Sequence, residues 1–184
     1  MDAIIQSFLL VFVSEMGDKT QLLALVLAAR FRKPVPIMWG ILAATLLNHG
    51  IASYLGSFVT HFISPEILKW VLALTFVGFG IWLLVPDKDE EFKDERGWGP
   101  FWTTTVAFFF AEMGDKTQLA TVALGAKFAG PMVVTIGTTL GMLAADGLAV
   151  TFGHRFTERI PMKIVNRMAS LLFVLFGIGI IVKG

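Results

Sequence analysis

Residues 15–22 read Glu-Met-Gly-Asp-Lys-Thr-Gln-Leu, and residues 112–119 read the same eight letters. The offset of 97 then holds without a gap for some 70 residues. It sets Phe31 on Phe128, Pro34 on Pro131, Gly40 on Gly137, Gly50 on Gly147, Gly56 on Gly153, Phe76 on Phe173 and Gly80 on Gly177. Agreement of that length marks an internal duplication, so each copy must form the same structural unit.

The unit is built of apolar runs. A bilayer span needs roughly 20 mostly apolar residues, and six stretches qualify: about Ala3–Ala29, Val35–Val59, Ile67–Val85, Phe101–Ala126, Pro131–Phe152 and Ile164–Val182. Overall 55% of residues are hydrophobic and 16% charged, against about a quarter charged in a soluble domain, which excludes an ordinary water-soluble globule. The runs are long and do not alternate, so they predict helices and not a β-barrel. No basic stretch precedes the first run, which therefore reads as a retained helix and not a cleaved signal peptide. Cys 0 removes disulfides, thiolate metal sites and cysteine nucleophiles.

Three spans per copy is an odd number, so the second copy must enter the membrane from the opposite side. The expected fold is an all-α polytopic membrane protein of six transmembrane helices arranged as two inverted three-helix repeats, residues 1–86 and 101–184, joined by a charged linker, 87–100. Inverted repeats recur in secondary transporters, with the substrate site near the midplane where the repeats meet. The linker, rich in acidic and basic residues from Asp87 to Arg96, reads as solvated chain. Lysine and arginine counting gives three on the side of the termini (Lys69, Lys127, Lys183). It gives ten opposite (Arg30, Arg32, Lys33, Lys88, Lys93, Arg96, Arg155, Arg159, Lys163, Arg167). The positive-inside rule places both termini outside and the linker in the cytoplasm.

Each copy of the octapeptide puts charges in mid-span, where they cost several kcal/mol or more, about +2.5–3.5 even on lenient scales. On a helix Glu15 and Asp18 lie about 60° apart, with Lys19 about 40° from Glu15 on its other side. Each motif thus presents one polar face carrying two carboxylates and an ammonium. Gly17 and Gly114 permit local unwinding, which frees backbone carbonyls. If the two faces meet, Glu15, Asp18, Glu112 and Asp115 converge with the neutral oxygens of Thr20, Gln21, Thr117 and Gln118. That ligand set suits a hard or borderline divalent cation such as Ca²⁺ or Mn²⁺. Four carboxylates with Lys19 and Lys116 leave two negative charges, which one such ion neutralises. Once it leaves, protons should take its place on the facing carboxylates, and that competition is the minimal machinery of an antiporter. Pairing that merely locks helices together would not explain the excess acid or the symmetry.

Asp146 is a further intramembrane acid and falls on His49 at the same offset, beside Asn48. Asp146 and Asn48 join the candidate site; His49 equally well bridges helices. Met16 and Met113 would tilt the site toward a softer ion if their thioethers touch it, although methionine more often fills gaps. Gly137-Thr-Thr-Leu-Gly141 reads as helix packing, and Trp39, Trp70, Trp82, Trp98 and Trp102 as interfacial anchors. No phosphate loop, zinc motif or nucleophile triad stands out, and the basic residues mark a membrane face, so nucleic acid is not an expected partner.

The doubled Glu-x-Gly-Asp-Lys-Thr motif, one copy opening each half, resembles the Gdt-type cation/proton exchanger family of the lysine-exporter superfamily, over essentially the whole chain. The resemblance implies a Ca²⁺/Mn²⁺–H⁺ exchanger whose metal-binding acids are Glu15, Asp18, Glu112 and Asp115. The chain is compact and has Met at the variable motif position, and so looks most like the bacterial manganese-export branch, which implies the inner membrane. The expectation is a secondary transporter exporting Mn²⁺, with Ca²⁺ as the other candidate, against protons. No tightly bound cofactor is expected, the partners are the ion, protons and lipid, and a homo-oligomer is compatible with the sequence. A divalent cation channel and an intramembrane metalloenzyme are the rival readings; the latter normally needs histidine ligands, and only His49 lies in a span.

Overall fold

The computed structural model describes residues 2–85, 97–152 and 162–183. The charged stretch 87–96 and the basic residues Arg155 and Arg159 lie outside the described residues. Among the described residues all regular structure is helical. The helices are α1 (Asp2–Glu15), α2 (Lys19–Phe31), α3 (Pro34–Val59), α4 (Pro65–Trp82), α5 (Pro100–Glu112), α6 (Lys116–Phe128), α7 (Pro131–Phe152) and α8 (Met162–Lys183). Proline opens α3, α4, α5 and α7, at the one helical position where its missing N–H costs nothing and its fixed φ helps.

Among the described residues eight helices stand where six spans were expected, because the first and fourth spans are each broken in the middle. Residues Met16-Gly17-Asp18 separate α1 from α2, and Met113-Gly114-Asp115 separate α5 from α6. Gly17 and Gly114 sit at φ 82° and 80°, a left-handed region open to glycine and costly for other residues. The unwinding that the glycines permit has taken place, and it is the same in both copies. The far ends of the paired half-helices also match: α2 ends on Arg32 at φ 53° and α6 on Ala129 at φ 49°, each donating its N–H back to a helix carbonyl. The remaining boundaries shift by a few residues, α4 closing at Trp82 instead of Val85.

α3, α4 and α7, with 26, 18 and 22 residues, are each long and apolar enough to cross a membrane. Large apolar side chains such as Leu47, Tyr54, Leu55, Phe58, Leu74, Ile81, Leu140, Leu171 and Leu175 face outward, as a lipid-facing surface requires. The chain is an all-α multi-spanning membrane protein.

Packing runs mainly between the two halves. α1 lies along α7, α3 along α5, α6 and α7, and α4 along α8. A Cβ placed on Gly137 would lie 2.7 Å from the Ile4 carbonyl oxygen, and one on Gly141 2.7 Å from that of Phe8. The Gly137–Gly141 pattern is therefore helix packing, against α1. Gly40 makes the equivalent approach to Thr104 on α5. Two apolar clusters flank the centre. Leu10, Phe76, Phe79, Leu124 and Phe173 form one, on α1, α4, α6 and α8; Val11, Leu27, Ile41, Phe108 and Met142 form the other, on α1, α2, α3, α5 and α7.

Candidate metal centre

Each break is built by its own octapeptide. Asp18 and Asp115 occupy the N-cap positions of α2 and α6 with extended backbone. Three residues on, Gln21 Oε1 accepts the Gly17 N–H at 2.8 Å and Gln118 Oε1 accepts the Gly114 N–H at 2.6 Å, a variant of the capping box that reaches one residue further back. The glutamine oxygens offered by the sequence as ligands are thus first of all braces of the break. Gln21, fully buried, also donates through Nε2 to the Ala145 carbonyl at 2.9 Å, next to Asp146. Asn48 Nδ2 donates to the Phe109 carbonyl at 3.0 Å, one of the carbonyls in the last turn of α5 that the break deprives of a helical partner.

The breaks bring acids of the two halves together. Glu15 and Glu112 are wholly buried and Asp115 nearly so, and one oxygen from each lies within 4.8 Å of the others. Oxygens bound at about 2.3–2.6 Å to one ion are at most about 5 Å apart, so the three can share a divalent cation. Thr20 donates to Glu15 Oε2 at 2.7 Å, and Thr117, from the opposite half, donates to Glu15 Oε1. Lys19 Nζ pairs with Asp115 Oδ1 across the halves at 3.6 Å. Glu112 has no hydrogen-bond partner for either oxygen among the described residues. A buried charge left that way costs several kcal/mol. Three carboxylates and one ammonium leave two negative charges in the cluster, the charge that one divalent ion cancels.

The other expected site residues lie around this core. Asp18, partly buried, and Asp146, fully buried, both act electrostatically on Glu112. Glu15 acts in turn on Asp146, whose two oxygens have no hydrogen-bond partner among the described residues. His49 is equally buried, its ring nitrogens likewise without such a partner. Lys116 Nζ donates to the Val85 carbonyl at 3.2 Å and lies 5.6 Å from the Trp82 ring centroid. The motif methionines part company, Met16 being buried against Gln21 Nε2 and Met113 about half exposed. Ser14, buried beside Glu15, lines a narrow recess with Lys116, Thr117 and Phe173. Nothing in the sequence singled it out, since its repeat counterpart is Ala111.

Half-helices that meet in the interior of a membrane protein around convergent acids from both halves define a cation transporter. The chain belongs to the GDT1 family of divalent cation/proton antiporters, whose model matches residues 3–91 and 100–184. A Vibrio cholerae serotype O1 protein named "Putative manganese exporter" is 44% identical over 97% of this chain and 90% of its own length. A GDT1-like protein of Synechocystis is 30% identical over 97% of this chain and 96% of its own; GDT1-like protein 3 of Arabidopsis thaliana is 27% identical over 97% and 70%. No solved structure matches the chain. Membership of an antiporter family decides against both the channel and the metalloenzyme.

Proposed function

We propose that this protein exports Mn²⁺ from a bacterial cytoplasm across the inner membrane in exchange for protons, with Ca²⁺ as the second ion its oxygen ligands would accept. The carrying observation is Glu112, buried without a hydrogen-bond partner among the described residues and beside Glu15 and Asp115. Such a carboxylate needs either a cation or a proton, and alternation between the two is exchange. The similarity to a protein named as a manganese exporter supports the choice of ion.

In this reading Glu15, Glu112 and Asp115 hold the ion, Asp18 and Asp146 complete the acidic surround, and Thr20 and Thr117 orient Glu15. Lys19 and Lys116 trim the charge, while Gln21, Gln118 and Asn48 hold the breaks in shape. α1 with α2 and α5 with α6 each count as one interrupted span, giving six crossings in two inverted repeats. The termini lie outside and the 87–100 linker in the cytoplasm, as the lysine and arginine counts support.

Reconstitution in liposomes carrying a metal dye and a pH dye tests the reading. An imposed pH gradient should drive Mn²⁺ movement and collapse as the metal moves, and Glu112→Gln should stop both signals. Metal flux that continues unchanged without any proton movement would overturn it. Parallel runs with Ca²⁺ rank the two ions.

A further inference from the structure

α4 and α8, one from each half, form a pair that is symmetric in its own packing. A Cβ on Gly80 would lie 2.7 Å from the Val174 side chain, and one on Gly177 2.8 Å from the Ala73 carbonyl. Phe76 packs against both Phe173 and Phe176. The pair is nevertheless docked asymmetrically. α4 packs on α6 and α8 on α1; among the described residues neither packs comparably on the repeat counterparts, α2 and α5.

The docking is made at both ends of α6. At its start, Lys116 reaches the Val85 carbonyl and the Trp82 ring of the α4 end. At its finish, Lys127 Nζ lies 3.6 Å from the Phe176 ring centroid and Phe128 packs on the same ring at 6.5 Å. The sequence carries this second contact twice. At the offset of 97, Lys127 and Phe128 correspond to Arg30 and Phe31 at the end of α2, and Phe176 corresponds to Phe79 on α4. Cation, phenyl and receiving phenyl are all retained. Here, however, Arg30 lies over Phe31 at 5.2 Å, and Phe79 sits against Trp82 and Phe173.

We infer that the α4–α8 pair is a rocker with two seats: the one on α1 and α6 seen here, and a second on α5 and α2, in which Phe79 receives Arg30 and Phe31. Two seats built from one duplicated sequence are close in energy, the condition for a switch that a bound ion can tip. Gly179 stands where the second seat would need the counterpart of Trp82. Without that indole the second seat is the weaker, which accounts for occupation of the first. The use of the motion rests on the exchanger reading: docking on α6 or on α2 closes the approach along one or other half-helix to the acids.

The chain has no cysteine, so introduced thiols report alone. Lys127→Cys with Phe176→Cys probes the first seat, and Arg30→Cys with Phe79→Cys the second, each treated in membranes with a short reducible bis-thiol cross-linker. Both pairs should bridge, Mn²⁺ should raise the yield of one and lower that of the other, and either bridge should abolish manganese export until reduced. Phe128→Cys with Phe176→Cys and Phe31→Cys with Phe79→Cys probe the same seats if loss of the cations disturbs folding. Failure of both second-seat pairs to bridge under every condition overturns the inference, as does a first-seat bridge that leaves export running. Bridging is read on the protein itself: both bridges in a chain that exports no metal would sink the exchanger reading and leave the rocker standing.

Discussion

Glu15 accepts hydrogen bonds from Thr20 and Thr117, whereas Glu112, its counterpart in the repeat, accepts none from the described residues. The two glutamates are chemically identical and structurally unequal, and variants should show it. Glu112→Gln removes an uncompensated buried charge, so export should be lost while thermal stability in detergent stays level or rises by a few degrees, since relief of such a charge is worth about 1 kcal/mol or more. Thr117→Val strips Glu15 of its cross-half donor and should cost about 1–3 kcal/mol as well as slow export. Thr121→Val, whose hydroxyl bonds only within its own helix turn, serves as the control. The acids were legible in the sequence because charge in an apolar run has no bland explanation. The convergence of both threonines on one glutamate was not: Thr117 and Glu15 lie 102 residues apart, and the two motifs, letter for letter the same, give no hint of inequality.

At the scale of elements, the breaks decide where the acids stand. Glycine at φ near 80° is required at 17 and 114, so Gly114→Ala should lose about 1–3 kcal/mol of stability, with export reduced in step. Gly50→Ala offers the contrast. That glycine is inside α3 with nothing within 4 Å of an added methyl, and the change should stabilise by about 0.5–1 kcal/mol. Thermal unfolding of the two variants side by side reads both signs. The sequence placed a weak point at these glycines but ran 3–29 and 101–126 as single spans. A break of three residues hardly alters apolar content averaged over twenty, and the brace that completes it, Gln21 or Gln118 onto a glycine N–H, is polar and local. Among the described residues the two interruptions therefore escaped the sequence reading, while the remaining helices stand within about three residues of where it put them.

For the whole molecule, the proposed exchange has metal and protons draw on the same buried carboxylates, which fixes the sign of the pH response. Acidifying the side from which metal is taken should weaken apparent affinity about tenfold per pH unit for each proton displaced, and alkalinity should tighten it; metal titrations at several pH values give the number directly. The duplication, the all-helical class and the antiporter chemistry were readable because an exact octapeptide recurs in a long gapless register. The asymmetric seating of α4 and α8 was not, because the cation and both phenyl groups of the contact recur in each half. Thr117 crosses to Glu15 and Lys19 crosses to Asp115, so neither half owns a whole site. Cut within 87–96 and made as two separate polypeptides, the halves should each be inert yet rescue export when produced together in one cell. A single-unit ancestor, by the same logic, could have worked only as two molecules inserted head to tail.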